Sequence, residues 1–189
     1  MKKIKAPFTE AEALNLAAGD RVLLSGVIYT ARDAAHKILV EMLARGEELP
    51  FPLKDQVIYY VGPTPAPPGR AVGAAGPTTS GRMDKYTPAL LAAGMRAMIG
   101  KGSRSEEVVE AIKKYRGVYF AAVGGAAALL SRQIKKMELV AFPELGPEAV
   151  YRMTVEDFPL FVINDCYGRD FYREGVKKYK CLSPFAKQL

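Results

Sequence analysis

The segment Gly76-Pro77-Thr78-Thr79-Ser80-Gly81-Arg82-Met83-Asp84 sets three adjacent hydroxyls and a guanidinium on a backbone path fixed by two glycines and a proline. Backbone N–H groups in such a turn converge on a carboxylate, hydroxyls add donors, and an arginine grips the same group through two parallel charge-assisted bonds. A capped turn leading into a helix, with Arg82 pairing Asp84 or facing solvent, accounts for the same residues. Arg32 falls in the first turn of a predicted helix, where a cation opposes the helix dipole. An anion shared with the free N–H groups of the helix start is one reason for it, and an ion pair with Asp33 or another carboxylate is the other. His36, four residues on, reads as a packing or hydrogen-bonding residue and stays outside the site. Lys101, in Gly100-Lys101-Gly102-Ser103-Arg104-Ser105, stands between a predicted strand and a predicted helix, where open α/β sheets bind ligands. A solvated charge beside a turn is the plain alternative.

Other motifs carry less. The run around Lys101 lacks the phosphate-loop spacing, which excludes a nucleotide hydrolase. Val123-Gly124-Gly125-Ala126 has no third spaced glycine, so close packing outweighs dinucleotide binding. Asp165-Cys166-Tyr167-Gly168 is first of all a turn.

These groups need elements to hold them. Arg21 to Tyr29 is rich in branched apolar residues and predicts a buried strand. A helix follows, with Thr30 and Asp33 as a capping box, Ile38, Leu39, Met42 and Leu43 as its apolar stripe and Gly46 as its end. Gln56 to Val61 predicts a second strand that opens into an ordered binding loop over 62–81. A short helix over 84–93, a strand over 95–99, a helix over 105–115 capped by Ser105 and closed by Gly117, and a strand over 118–123 continue the alternation. A small-residue helix follows to about Gln133. Residues 137–142, 149–155 and 160–163 predict three more strands with little helix between them, hence a mixed sheet. From about Tyr172 no period is visible, and 172–189 is expected to drape the surface as a tail.

Composition bounds the rest. The 189 residues, 49% hydrophobic, suit a single domain spanning 1–189. No apolar run reaches the roughly 20 residues of a membrane span and the N-terminus lacks a secretory signal, so the expected location is cytoplasmic. Cys166 and Cys181 are too few to ligate an ordinary iron–sulfur cluster, and one histidine argues against a self-contained zinc site. The net charge of +7 points to anionic partners, but the scattered cations do not form the aromatic-interleaved tract of a nucleic-acid binder.

Taken together, Thr30-Ala31-Arg32-Asp33-Ala34-Ala35-His36-Lys37, Tyr60-Val61-Gly62-Pro63, the Gly76–Asp84 loop and Lys101-Gly102-Ser103-Arg104-Ser105 resemble the β-type portion of class I fumarases and L-tartrate dehydratases. The resemblance runs from about Ala13 to Gly175. It implies a swivelling three-layer β/β/α domain with a mixed β-sheet. It also implies reversible hydration of a small dicarboxylate: fumarate to malate, or alternatively L-tartrate or a related hydroxy-diacid in the dehydrating direction. The family's carboxylate-binding arginines fall on Arg32 and Arg82, its substrate-binding lysine on Lys101, and its proposed catalytic threonine on Thr78, with Thr79 the neighbouring alternative. No metal ligand is expected in this chain. The implied [4Fe–4S] cluster is ligated by a separate α-type subunit, in a higher heteromer, and this chain alone is expected to be inactive. A non-catalytic anion-binding module is the competing reading from a different class.

Overall fold

The computed structural model describes residues 1–180. In chain order the strands are β1 (Lys2–Ala6), β2 (Arg21–Thr30), β3 (Val57–Tyr59), β4 (Ala97–Gly100), β5 (Val118–Ala121), β6 (Ile134–Ala141) and β7 (Val150–Asn164). The α-helices are α1 (Glu10–Ala13), α2 (Asp33–Ala44), α3 (Thr87–Ala92), α4 (Glu106–Tyr115), α5 (Ala127–Leu130) and α6 (Phe171–Tyr179).

All strands share one mixed sheet. Strands β1 to β5 run parallel, in spatial order β1-β2-β3-β4-β5, and β7 runs antiparallel to β2, β5 and β6. Because β7 is long enough to pair both β2 and β5, the circuit β2-β3-β4-β5-β7 closes on itself, with β1 and β6 as outer strands. Side chains alternate across each strand. Val57 and Tyr59 of β3, Ala97 and Ile99 of β4, Val118 and Phe120 of β5, and Leu24 and Ile28 of β2 therefore meet in one core. Ile58, Met98, Tyr119 and Tyr29 point the other way, where α2, α3 and α4 cover them with Leu39, Leu90, Val108 and Ile112. Full burial of such a side chain contributes about 1.5–3 kcal/mol, so two apolar faces of this size hold the sheet against its chain entropy.

The expected strands at 149–155 and 160–163 are one strand. The apolar positions Met153 and Val155 change parity at Phe158, Leu160 and Val162, yet all five belong to the same core. Asp157, in a left-handed conformation at φ 49°, inserts the extra residue that keeps both halves facing inward, and the pairing with β2 is irregular at the matching point. The Asp157 N–H donates to Ser25 Oγ at 2.9 Å there. A bulge erases period 2 locally, which reads in sequence as a strand break.

Three further differences have physical causes. Lys2–Ala6, too polar to read as a strand, is an outer strand with one row of lysines in solvent and Ile4 against the core. Thr30 does not cap α2: it closes β2, its hydroxyl accepting from Tyr151 N at 2.9 Å and donating to Ala149 O at 3.2 Å. The stretch from Tyr172, expected as a surface tail without a period, is an exposed helix through Tyr179, capped by Asp170, whose Oδ1 accepts from the N–H groups of Tyr172 and Arg173. The rest of that stretch, 181–189, lies outside the described residues. Gly46 does take the left-handed position after α2, at φ 69°. After α4 that conformation falls on Arg116 at φ 54°, one residue before the expected Gly117.

Candidate functional site

Parallel strands bring their carboxyl ends to one edge, and the segments Thr30–Arg32, Tyr60–Val61, Gly100–Lys101 and Ala122–Gly124 all leave the sheet there. The Gly76–Gly81 loop is laced into this edge by backbone bonds. Thr78 N donates to Tyr60 O at 2.8 Å, Lys101 N to Thr78 O at 3.2 Å, and Ser80 N to Lys101 O at 2.9 Å. Thr79 and Lys101 thereby become bridge partners. This pairing consumes main-chain groups and leaves the side chains of Thr78, Thr79 and Lys101 outside it.

Ser80 anchors the loop from below. Tyr119 Oη donates to Gly102 O at 2.8 Å, so the 2.8 Å contact between Ser80 Oγ and Tyr119 Oη has the serine as donor. Burial pushes the Tyr119 phenol far up, which keeps it a neutral donor. Gly100 is required at this point, because a Cβ there would collide with Ser80 Oγ and touch the Tyr60 ring at 3.0 Å.

The two arginines form a second group. Arg32, the extended residue before α2, sends Nη2 to Glu148 at 3.1 Å and lies 3.9 Å from Asp33 Oδ1. Asp33 Oδ2 accepts from Arg82 Nη2 at 2.8 Å. A Cβ at position 62 would sit 2.8 Å from Arg32 Nη1, so Gly62 leaves room for the guanidinium. His36 fixes the turn: its Nδ1 lies 2.8 Å from the Arg32 carbonyl, which only accepts, so Nδ1 carries the proton. Desolvation lowers the His36 pKa to about 4, leaving a neutral ring with an unpartnered Nε2 beside Tyr60. Both cationic readings for this region named Asp33 or Asp84 as local partners. Arg82 takes Asp33, and Asp84 belongs elsewhere.

Asp84 accepts from the buried Arg104 at 2.7 Å and from Ser105 N at 2.8 Å, at the start of α4. Arg104 also donates to Thr87 Oγ1 at 2.7 Å and lies over the Tyr60 and Tyr119 rings. This pair ties the end of the hydroxyl loop to α3 and α4. Sequence reading missed the Arg104–Asp84 and Arg32–Glu148 pairs, whose partners lie far apart along the chain.

The structure thus gathers the sequence candidates into two neighbouring groups, Thr78–Thr79–Lys101 and Arg32–Asp33–Arg82. Asp33 and Arg82 line an open hollow of about 390 Å³ with Lys37 and Tyr86, and Lys101 lines a separate one of about 230 Å³ with Phe161, Phe171 and Tyr172. A roomier hollow of about 760 Å³ between β1 and α1 holds none of these residues. Asp165 is structural, its carboxylate accepting from the N–H groups of Ala18, Tyr167 and Arg169.

A family description of the fumarase C-terminus matches residues 2–175, from β1 into α6. The chain belongs to this fumarase C-terminal family. Against "Fumarate hydratase class I, anaerobic" of Escherichia coli (strain K12) it is 46% identical over 160 residues, 84% of this chain and 29% of the relative. "Fumarate hydratase 2" of Leishmania major gives 46% over 160 residues, 84% and 28%. "Putative L(+)-tartrate dehydratase subunit beta" of Methanocaldococcus jannaschii gives 40% over 176 residues, covering 90% of each. The chain therefore spans less than a third of the length of these fumarate hydratase relatives and nearly all of the tartrate dehydratase subunit.

The described residues do not fit an iron–sulfur cluster. Cys166 is buried, its Sγ 3.5 Å from Ala13 O, and burial pushes its thiol up, away from the thiolate a metal needs. Among the described residues no three His, Cys, Asp or Glu side chains stand together as a ligand set, and Cys181 lies outside them. No helix among them is long and apolar enough to cross a membrane.

Proposed function

We propose that this chain, acting as one domain over 1–189, is the β-type part of a [4Fe–4S] hydro-lyase that reversibly hydrates fumarate to malate. The observation that carries the reading is the backbone pairing that sets Thr78 and Thr79 against Lys101 at the carboxyl edge of a parallel sheet, with Arg82 four residues on and tied through Asp33 to Arg32. Three cations on segments that meet at this edge, with a hydroxyl pair between them in the chain, suit a doubly negative substrate, whose charge needs neutralising before a proton beside a carboxylate moves. The swivelling three-layer β/β/α description, the cytoplasmic location and the higher heteromer go with the same reading.

In it, Arg32 and Arg82 hold the substrate carboxylates, Asp33 being the internal anion that keeps both guanidinia in place until substrate competes for them. Lys101 adds a point charge, and Thr78, or Thr79 beside it, handles the proton on the carbon adjacent to the one that bears the hydroxyl. A threonine hydroxyl ionises only where cations and desolvation lower its pKa, which Lys101 and Arg82 supply in part. The cluster, held by an α-type partner, supplies Lewis acidity when bound.

The test is fumarate hydration measured anaerobically with this chain alone and with a cysteine-bearing α-type subunit carrying a reconstituted cluster. Turnover only in the mixture is expected. Absence of turnover with any small dicarboxylate, despite an intact cluster, would favour a non-catalytic anion-binding module. L-Tartrate belongs in the same assay, because the 90% mutual coverage with a tartrate dehydratase subunit favours dehydration of that diacid as the second reading.

A further inference from the structure

Helix α6 buries none of its side chains. Tyr172, Val176 and Tyr179 repeat at intervals of four and three residues, which places them on one face, and they are 38%, 64% and 73% exposed. Apolar side chains at that spacing are the mark of a helix laid into a groove. The stripe is continuous with the hollow of about 230 Å³ whose walls include Phe171, Tyr172, Phe161 and Lys101. It therefore begins at one of the two candidate substrate groups and runs away from it.

Charge decides what covers it. Between Arg169 and Lys180 five cations stand against two carboxylates, a net charge of +3 in a chain of +7. Glu174 and Asp170 are already engaged by Arg169 and Arg173, so the excess charge is that of Lys177, Lys178 and Lys180 at the far end of the helix, where Lys178 Nζ lies 5.3 Å from the centroid of the Tyr179 ring. A two-fold contact with a second copy would bring two segments of charge +3 together, a repulsion that complementary partners avoid. The fumarase C-terminal match ends at residue 175, so Val176 and Tyr179 lie beyond what that description shares.

We infer that the Tyr172–Val176–Tyr179 face of α6 is the docking surface for the cluster-bearing α-type subunit, whose complementary groove is apolar and rimmed by carboxylates. This rests on the functional reading above. Docking there brings the partner to the Lys101 hollow, and so to the group that the isolated chain leaves open.

The test titrates the full chain with the α-type subunit calorimetrically and assays fumarate hydration in the same mixtures. Val176→Glu/Tyr179→Asp is expected to weaken association by about 30-fold or more, as loss of central apolar anchors does. Leu139→Glu, which charges an exposed apolar residue on β6, is expected to bind within about threefold of the parent, since surface changes away from a contact are nearly neutral. A photo-reactive residue at position 179 gives a readout that survives if the charged variant misfolds, and is expected to cross-link to the α-type subunit. Parent-like binding by the double variant in an active mixture overturns the docking surface and leaves the functional reading intact. Cross-linking of position 179 to a second copy, or to residues 181–189 of its own chain, overturns it equally. An inactive parent mixture in which no complex forms overturns both.

Discussion

Arg82 Nη2 stands 2.8 Å from Asp33 Oδ2, and the same carboxylate lies 3.9 Å from Arg32. One acidic residue at the start of α2 thus joins two arginines that are 50 positions apart in the sequence. In the proposed function this carboxylate is what an incoming substrate displaces.

Arg82→Ala is therefore expected to lower kcat/KM for fumarate in the reconstituted complex by about a hundredfold or more, because a transition-state charge loses its fixed cation. Folding stability should change by less than about 1 kcal/mol, since both partners are partly exposed and such pairs contribute little. Steady-state kinetics and a urea titration on the same preparation separate the two. A large loss of stability with unchanged kinetics would make the Arg82–Asp33 pair structural.

Thr78→Ala keeps the backbone bonds to Tyr60 and Lys101 and removes only the hydroxyl. Turnover should fall by about 10²- to 10⁴-fold, the range for loss of a group that transfers a proton. Thr78→Ser should restore most of it. If turnover of Thr78→Ala stays within a few-fold of the parent, the proton-handling role passes to Thr79 or to the partner.

Arg104→Ala leaves Asp84 without its buried partner and removes a guanidinium stacked between Tyr60 and Tyr119. Breaking a buried pair on one side is expected to destabilise by about 3–5 kcal/mol. Arg104→Lys should recover little, since a lysine cannot serve Asp84, Thr87 and the two rings together. Chemical denaturation midpoints measure both.

His36 is the sole histidine, and desolvation lowers its pKa from 6.5 to about 4. The unfolded chain therefore binds this proton more readily than the folded one. Its contribution is fully present above pH 6.5 and is lost as pH falls from there towards about 4, with a slope approaching 1.4 kcal/mol per pH unit. Stability measured by denaturant at several pH values should show that slope, and His36→Asn should flatten it between pH 6 and about 5.

The sequence by itself determined the alternation of strands and helices from Arg21 to Val123, because apolar period, capping residues and glycine ends act over a few neighbours. It also singled out Arg32, Thr78, Arg82 and Lys101 as candidates for a site, since the ordered motifs around them are local patterns. Only the tertiary structure decided that β7 bridges β2 and β5 and closes the circuit, as a bulge at Asp157 breaks the period that would reveal one strand. It also decided that Thr30 joins the sheet and does not cap α2, because its partners Ala149 and Tyr151 lie about 120 residues away. The pairing of Thr78 and Ser80 with Lys101, and of Arg82 with Asp33, has the same origin. Such bonds depend on which strand ends the fold sets side by side, and that is settled by packing two apolar faces of the sheet, a property of the whole chain.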